Sequence, residues 1–154
     1  NNARIPARMI QPEITESVML ADNEVVQGRI ERLHNMGIKF AVDDFGTGYS
    51  SLAYLHQYAV DTIKIDRSFG DLAASDPSKR PILAAIVGMG KAMNMMTVAE
   101  GVERSDSLLL LQSLGCTEAQ GYIFSRPLSL DGLIEFVREF EYTPPVVRPV
   151  VAIA

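Results

Sequence analysis

Carboxylates, one lysine and one amide fall where the apolar runs of this sequence end: Glu13, Asp43 with Asp44, Lys64 with Asp66, Glu100 with Glu103, and Gln120. Asp43 and Asp44 pose the sharpest question, because two like charges side by side repel and need an opposite charge to hold them. If the set converges on one patch, divalent cations are the natural counter-charge. Its ligands are oxygens, which favours magnesium or manganese over zinc or copper. Two such ions close together suit phosphoryl or phosphodiester chemistry, one activating water and both absorbing developing charge. His34 and His56 lie in or beside helix patterns, away from these ends, and we assign them no ligand role.

Taken singly, each residue has a plainer reading. Adjacent aspartates in a loop are usually solvated or cap the next helix. Lys64, between Ile63 and Ile65, could point to solvent from a half-exposed strand. Glu103 could be an ordinary first-turn carboxylate ahead of the Ser105 helix, and Gln120 could satisfy backbone groups. Tyr49, Tyr122 and Phe124 read as core, and so do Met93, Met95 and Met96. Only convergence would turn the set into a site.

Convergence requires elements that bring these ends together. "RMIQPEIT" reads as a strand in which Pro12 removes one ladder donor and so needs an edge or a bulge. "DNEVVQGRIERLHNMG" reads as a helix with Asp22 as N-cap, a stripe of Val25, Val26, Ile30 and Leu33, and a stop at Gly37. "IKFAV" is a strand and "SSLAYLHQY" a short helix. "VDTIKID" is the next strand, and Pro81 opens a helix whose inward positions are Ile82, Ile86, Met89 and Met93. "MMTVAE" and "AQGYIF" are strands, separated by the helix "SDSLLLLQSLG" that ends at Gly115. "SLDGLIEFVREF" is the last helix. Strand–helix units in series favour a parallel sheet with helices outside it, and chemistry in such architectures gathers at the carboxyl ends of the strands. We count about five units, short of the eight that close a barrel.

Composition sets the outer limits. The 154 residues are enough for one domain with a real core, and 47% apolar with 21% charged content is ordinary for a soluble globular protein. The net charge of −5, without a lysine or arginine block, disfavours a duplex nucleic-acid binder. Metal ions could still bring an anionic substrate to an acidic protein. The single cysteine, Cys116, precludes an internal disulfide and fits a cytoplasmic location. No apolar stretch approaches bilayer-spanning length, and "NNARIPARMIQ" lacks a secretory pattern, so this segment is expected to make no membrane contact. We place the domain at residues 1–142 and read 143–154, with its prolines, as an extended tail or linker.

The strings "EITES", "DDFGTGYSSL", "IKID", "AEGVE" and "QGYIFSRPL", in that order, resemble the EAL-domain cyclic di-GMP phosphodiesterases of bacteria. The resemblance runs from about Glu13 to Phe140. It implies a (β/α)8 TIM-like barrel that hydrolyses one phosphodiester of cyclic di-GMP to give linear pGpG, with two magnesium or manganese ions in the complete site. It implies that Glu13 and Asp43 are metal ligands, with Asp43 bridging the ions and Asp44 serving the second. Lys64 would orient or help deprotonate the attacking water. Glu100 would complete the metal and water shell, and Gln120 would hold a water or substrate near the metals. Glu103 would tether the loop that starts at Phe45, and Asp66 would support the metal residues from behind. Biofilm-type second-messenger signalling, a homodimer and an upstream sensory or GGDEF-type domain are further expectations from the family.

The departures from the family pattern have a direction. No Glu-Ala-Leu tripeptide occurs, and only twelve residues precede Glu13, which leaves no counterpart for the family's asparagine ligand or its substrate-binding arginine. Pro12 stands where the family more often has an apolar or acidic strand residue. The expectation is therefore the C-terminal portion of an EAL domain, about five strand–helix units, inactive by itself. Two other readings stand beside it: a degenerate domain that binds cyclic di-GMP without cleaving it, and a docking module. An enolase-like barrel also places carboxylates and a lysine at strand ends, but the long aspartate loop string disfavours it.

Overall fold

The computed structural model describes residues 5–20, 24–46, 55 and 57–140. Five short strands, β1 (Glu13–Thr15), β2 (Ala41–Phe45), β3 (Thr62–Ile65), β4 (Met96–Ala99) and β5 (Glu118–Ala119), form one sheet in that order. Every neighbouring pair is parallel. A strand order that follows the sequence without reversal is an arc of a barrel, whereas a doubly wound sheet switches direction partway. The fold is α/β, five consecutive strands of a TIM-like barrel. The helices are α1 (Glu16–Leu20), α2 (Glu24–Asn35), α3 (Arg67–Ser75), α4 (Arg80–Ala92), α5 (Ser105–Leu114) and α6 (Leu130–Glu139). Among the described residues, no helix is long and apolar enough to cross a membrane.

Register divides the side chains between two faces, because residues paired across a parallel sheet point the same way. Glu13 pairs with Ala41, Thr15 with Asp43, Thr62 with Met96 and Lys64 with Val98. Continuing the alternation puts Glu100 and Gln120 on that same face. Ile14, Val42, Ile63, Ile65 and Ala99 take the other, and join the buried core with Leu83, Ile86, Val87, Leu108 and Leu111 from α4 and α5. Contact there is close: a Cβ on Gly90 of α4 would lie 2.5 Å from Thr97 Cγ2.

Several expected boundaries shift. Residues 7–9 form a 3-10 turn, and β1 begins only at Glu13. Pro12 costs the ladder nothing, since its carbonyl accepts from Ala41 N at 3.0 Å and β1 is an edge of the described sheet. In α2 the inward residues are Val26 and Ile30. Val25 and Leu33 are exposed, while Gly37 ends the helix at φ +89 with its N–H on His34 O. In α4 the buried stripe is Leu83, Ile86, Val87 and Gly90; Ile82 is exposed, and Met89 and Met93 only flank the core. The helix α3 was not expected, although Phe69 and Ala73, four residues apart, mark its inward side. Of "AQGYIF" only Ala119 is strand, the second residue of β5, and a turn follows at residues 122–124. Tyr122 is exposed, and Met96 lies partly open on the polar face. The expected Asp22 cap, Tyr49, His56, most of the "SSLAYLHQY" helix and the tail 143–154 lie outside the described residues.

Candidate metal and phosphodiester site

Lys64 stands at the centre of the polar face and is 8% exposed. Its Nζ lies 2.7 Å from Glu13 Oε1, 2.9 Å from Asp43 Oδ1 and 2.8 Å from Glu100 Oε1. Three carboxylates, from β1, β2 and the end of β4, thus use the three N–H directions of one ammonium. The reading of Lys64 as a solvent-facing strand residue is overturned. Burial works to lower its pKa, but hydrogen bonds with Glu100, Glu13 and Asp43 outweigh that and hold it above the ordinary lysine value.

The aspartate pair occupies β2 itself and not the loop after it. Regular alternation would send Asp43 and Asp44 to opposite faces. Instead, the pairing of Val42 with Ile63 and of Phe45 with Ile65 leaves β2 one residue longer than β3 over this stretch. Asp44 absorbs the bulge in the left-handed region, at φ +52, a conformation aspartate tolerates better than most residues. Carboxylate oxygens of Asp43, Asp44 and Glu100 consequently lie within 4.8 Å of one another.

Gln120 adds the last link, its Nε2 donating to Glu100 Oε1 at 2.6 Å. Asp66 and Glu103 take positions beside the cluster. Asp66 accepts from the Ser68 amide at 3.1 Å and from its hydroxyl, which caps α3. These bonds, chiefly the hydroxyl's, lower the Asp66 pKa. Glu103 lies 3.6 Å from Arg67 Nη1; residues 47–54 of the loop it was expected to tether are outside the described set. His34 is occupied structurally, with Nε2 3.4 Å from Asp61 Oδ1.

Sequence reasoning missed three participants. Gln11, two residues before Glu13 and so on the same face, donates to Thr62 Oγ1 at 2.9 Å beneath the cluster. Arg67 and Arg126 line a cavity of about 540 Å³ that reaches Gln120, and the Arg126 guanidinium sits 4.7 Å above the Tyr122 ring. The two-residue spacing was a signal for Gln11; nothing local marked the arginines. The donor set fits a hard divalent cation: Asp43, Asp44 and Glu100 bring carboxylate oxygens together, and three carboxylates, those of Glu13, Asp43 and Glu100, share a single ammonium.

The family model for the EAL domain matches residues 1–127. The chain is 41% identical over 147 residues to the cyclic di-GMP phosphodiesterase NbdA of Pseudomonas aeruginosa, covering 94% of this chain and 19% of that protein. It therefore spans about a fifth of that relative's length. Among solved structures it is similar to the PaMucR phosphodiesterase in complex with cyclic di-GMP, with TM-score 0.79 and 38% identity over 84% of this chain and 53% of that one. It is also similar to the manganese and cyclic di-GMP complex of Klebsiella pneumoniae BlrP1, with TM-score 0.71 and 32% identity, over 81% of this chain and 32% of the other.

Proposed function

Because this chain belongs to the EAL-domain family, we propose that it supplies the metal-binding portion of a site that hydrolyses cyclic di-GMP to linear pGpG. The observation that supports this most directly is the junction at Lys64, where carboxylates from three strands reach one buried ammonium. In this reading Glu13, Asp43, Asp44 and Glu100 hold magnesium or manganese, two ions in the complete site. Bound there, the ions would supply positive charge and a more acidic water.

The chain's own groups do the positioning. Lys64 orients the carboxylates and, where cations take those carboxylates over, orients or helps deprotonate the attacking water. Gln120 fixes Glu100 and can present its remaining polar groups to water or substrate. Arg67 and Arg126 offer positive charge to a phosphate-bearing ligand in the adjoining cavity. Glu103 would steady the loop after Phe45, and Asp66 would steady the end of β3 through the α3 cap. The domain would end near residue 142. A cytoplasmic location, a homodimer and an upstream sensory or GGDEF-type domain complete the proposal.

The test is hydrolysis of cyclic di-GMP with manganese in a polypeptide that joins this sequence to a Glu-Ala-Leu strand. Asp43→Asn should lose hydrolysis and bind manganese weakly, whereas Lys64→Ala should keep the metal and lose turnover. Near-normal turnover of Asp43→Asn at low manganese would overturn the assignment. Binding without cleavage is the alternative outcome of the same test. Tight nucleotide binding without pGpG in the joined polypeptide would support it.

A further inference from the structure

We infer that Gly121 is a positioning residue, whose missing side chain lets the segments carrying Glu100 and Gln120 clamp together beyond the end of the sheet. The inference rests on the reading of Glu100 and Gln120 given above. β4 and β5 pair over two positions only, Val98 with Glu118 and Ala99 with Ala119. The main chain nevertheless stays joined past them. Gln120 N donates to Ala99 O at 2.9 Å, Val102 N to Gln120 O at 3.0 Å, and Ile123 N to Val102 O at 3.0 Å.

A Cβ on Gly121 would lie 2.3 Å from both the nitrogen and the oxygen of Val102, and 2.8 Å from its carbonyl carbon. These are backbone atoms, so no flexible side chain can give way. On the β3 side, a Cβ on Gly101 would lie 2.6 Å from Arg67 Cβ. The segment that begins with Glu100 is thus gripped between the ends of β3 and β5. The consequence falls on the side chains. Gln120 Nε2 is 2.6 Å from Glu100 Oε1, and that oxygen is 2.8 Å from Lys64 Nζ. A linked set of this kind tolerates little displacement, because hydrogen bonds weaken steeply with angle and distance. The plainer explanation is that Gly121 serves its backbone angle of φ +155 and nothing else. That explanation puts the whole cost of a substitution on folding.

Gly115 separates the two. It too has a positive φ, +84, but a Cβ there meets nothing within 4 Å. In the 154-residue chain, Gly115→Ala should lower the melting temperature and leave the Gln120 side-chain amide resonances in place. Gly121→Ala should move those resonances towards the values of an unbonded amide. It should also raise the apparent dissociation constant for manganese, read by water-proton relaxation, about tenfold. Should Gly121→Ala fail to fold, hydrogen exchange in the unaltered chain decides: the Val102 and Ile123 amides should be as protected as that of Glu100, which bonds Ile65 O just past the end of β4. Free exchange at Val102 and Ile123 would overturn the clamp, as would a folded Gly121→Ala chain with an unmoved Gln120 amide. A chain that takes up no manganese would count against the metal reading alone, because the amide signals test the clamp without metal.

Discussion

Lys64 can stay charged in a nearly closed position because Glu13, Asp43 and Glu100 replace the water it loses. Lys64→Met keeps the bulk of the stem and leaves those carboxylates facing one another. Without divalent cations we expect a loss of about 1–3 kcal/mol, the lower end reflecting how much solvent Glu13 retains. Denaturant unfolding of the two chains measures it, and manganese should narrow the difference by supplying the missing charge. The pH dependence follows from the raised pKa. A lysine whose folded value exceeds its unfolded value contributes in full below the unfolded one and loses that contribution only as pH rises through the folded one. The stability difference between the two chains should therefore stay level from about pH 7 to about pH 10. A difference that closes by pH 9 would show that the ammonium is not held as described.

At the scale of elements, β2 carries two of the four carboxylates, Asp43 and Asp44, and was the hardest strand to read. Alternation of apolar residues marks "IKFAV" as a strand, but a bulge belongs to the pairing of two strands and leaves no period in one of them. The residues of the site were legible because they sit at the ends of apolar runs, which a parallel sheet gathers on one edge. How Asp44 turns back towards Asp43 was not. The helix phases of α2 and α4 also failed from sequence, since more than one apolar stripe could be drawn and packing on the sheet chose between them. Two measurements belong here. Asp44→Asn should melt within about 0.5 kcal/mol of the unaltered chain, whereas Asp44→Val, forced to φ +52, should cost about 1–2 kcal/mol. Asp66→Ala should remove the cap of α3 at a cost of about 1 kcal/mol near neutral pH. Since the folded pKa of Asp66 is lowered, its contribution is present above the unfolded value and fades as pH falls through the folded one. The cost of the substitution should fade over the same acidic range.

For the whole molecule, the sheet among the described residues ends in two open edges, β1 and β5. α6 adds a stripe of Leu130, Leu133, Ile134 and Val137, all exposed, with Leu130 at 73%. Open edges and contiguous apolar surface both seek partners. We expect the 154-residue chain by itself to associate with concentration and to leave cyclic di-GMP uncleaved. Sedimentation velocity over a tenfold range of concentration, with a manganese assay on the same samples, checks both expectations. A stable monomer that released pGpG would contradict them.

The bulge in β2 has a genetic consequence. Asp44 is one residue inserted into a strand that would otherwise be regular, and Phe45 after it still faces the core opposite Ile65. Deleting a single aspartate codon there would leave Val42 and Phe45 on the helix side and one carboxylate on the other. Such an allele should be expressed and should give an unchanged circular dichroism spectrum, yet it would be short of one carboxylate for holding cations. A lesion of this kind would leave the fold in place and show itself as weakened metal binding and lost hydrolysis.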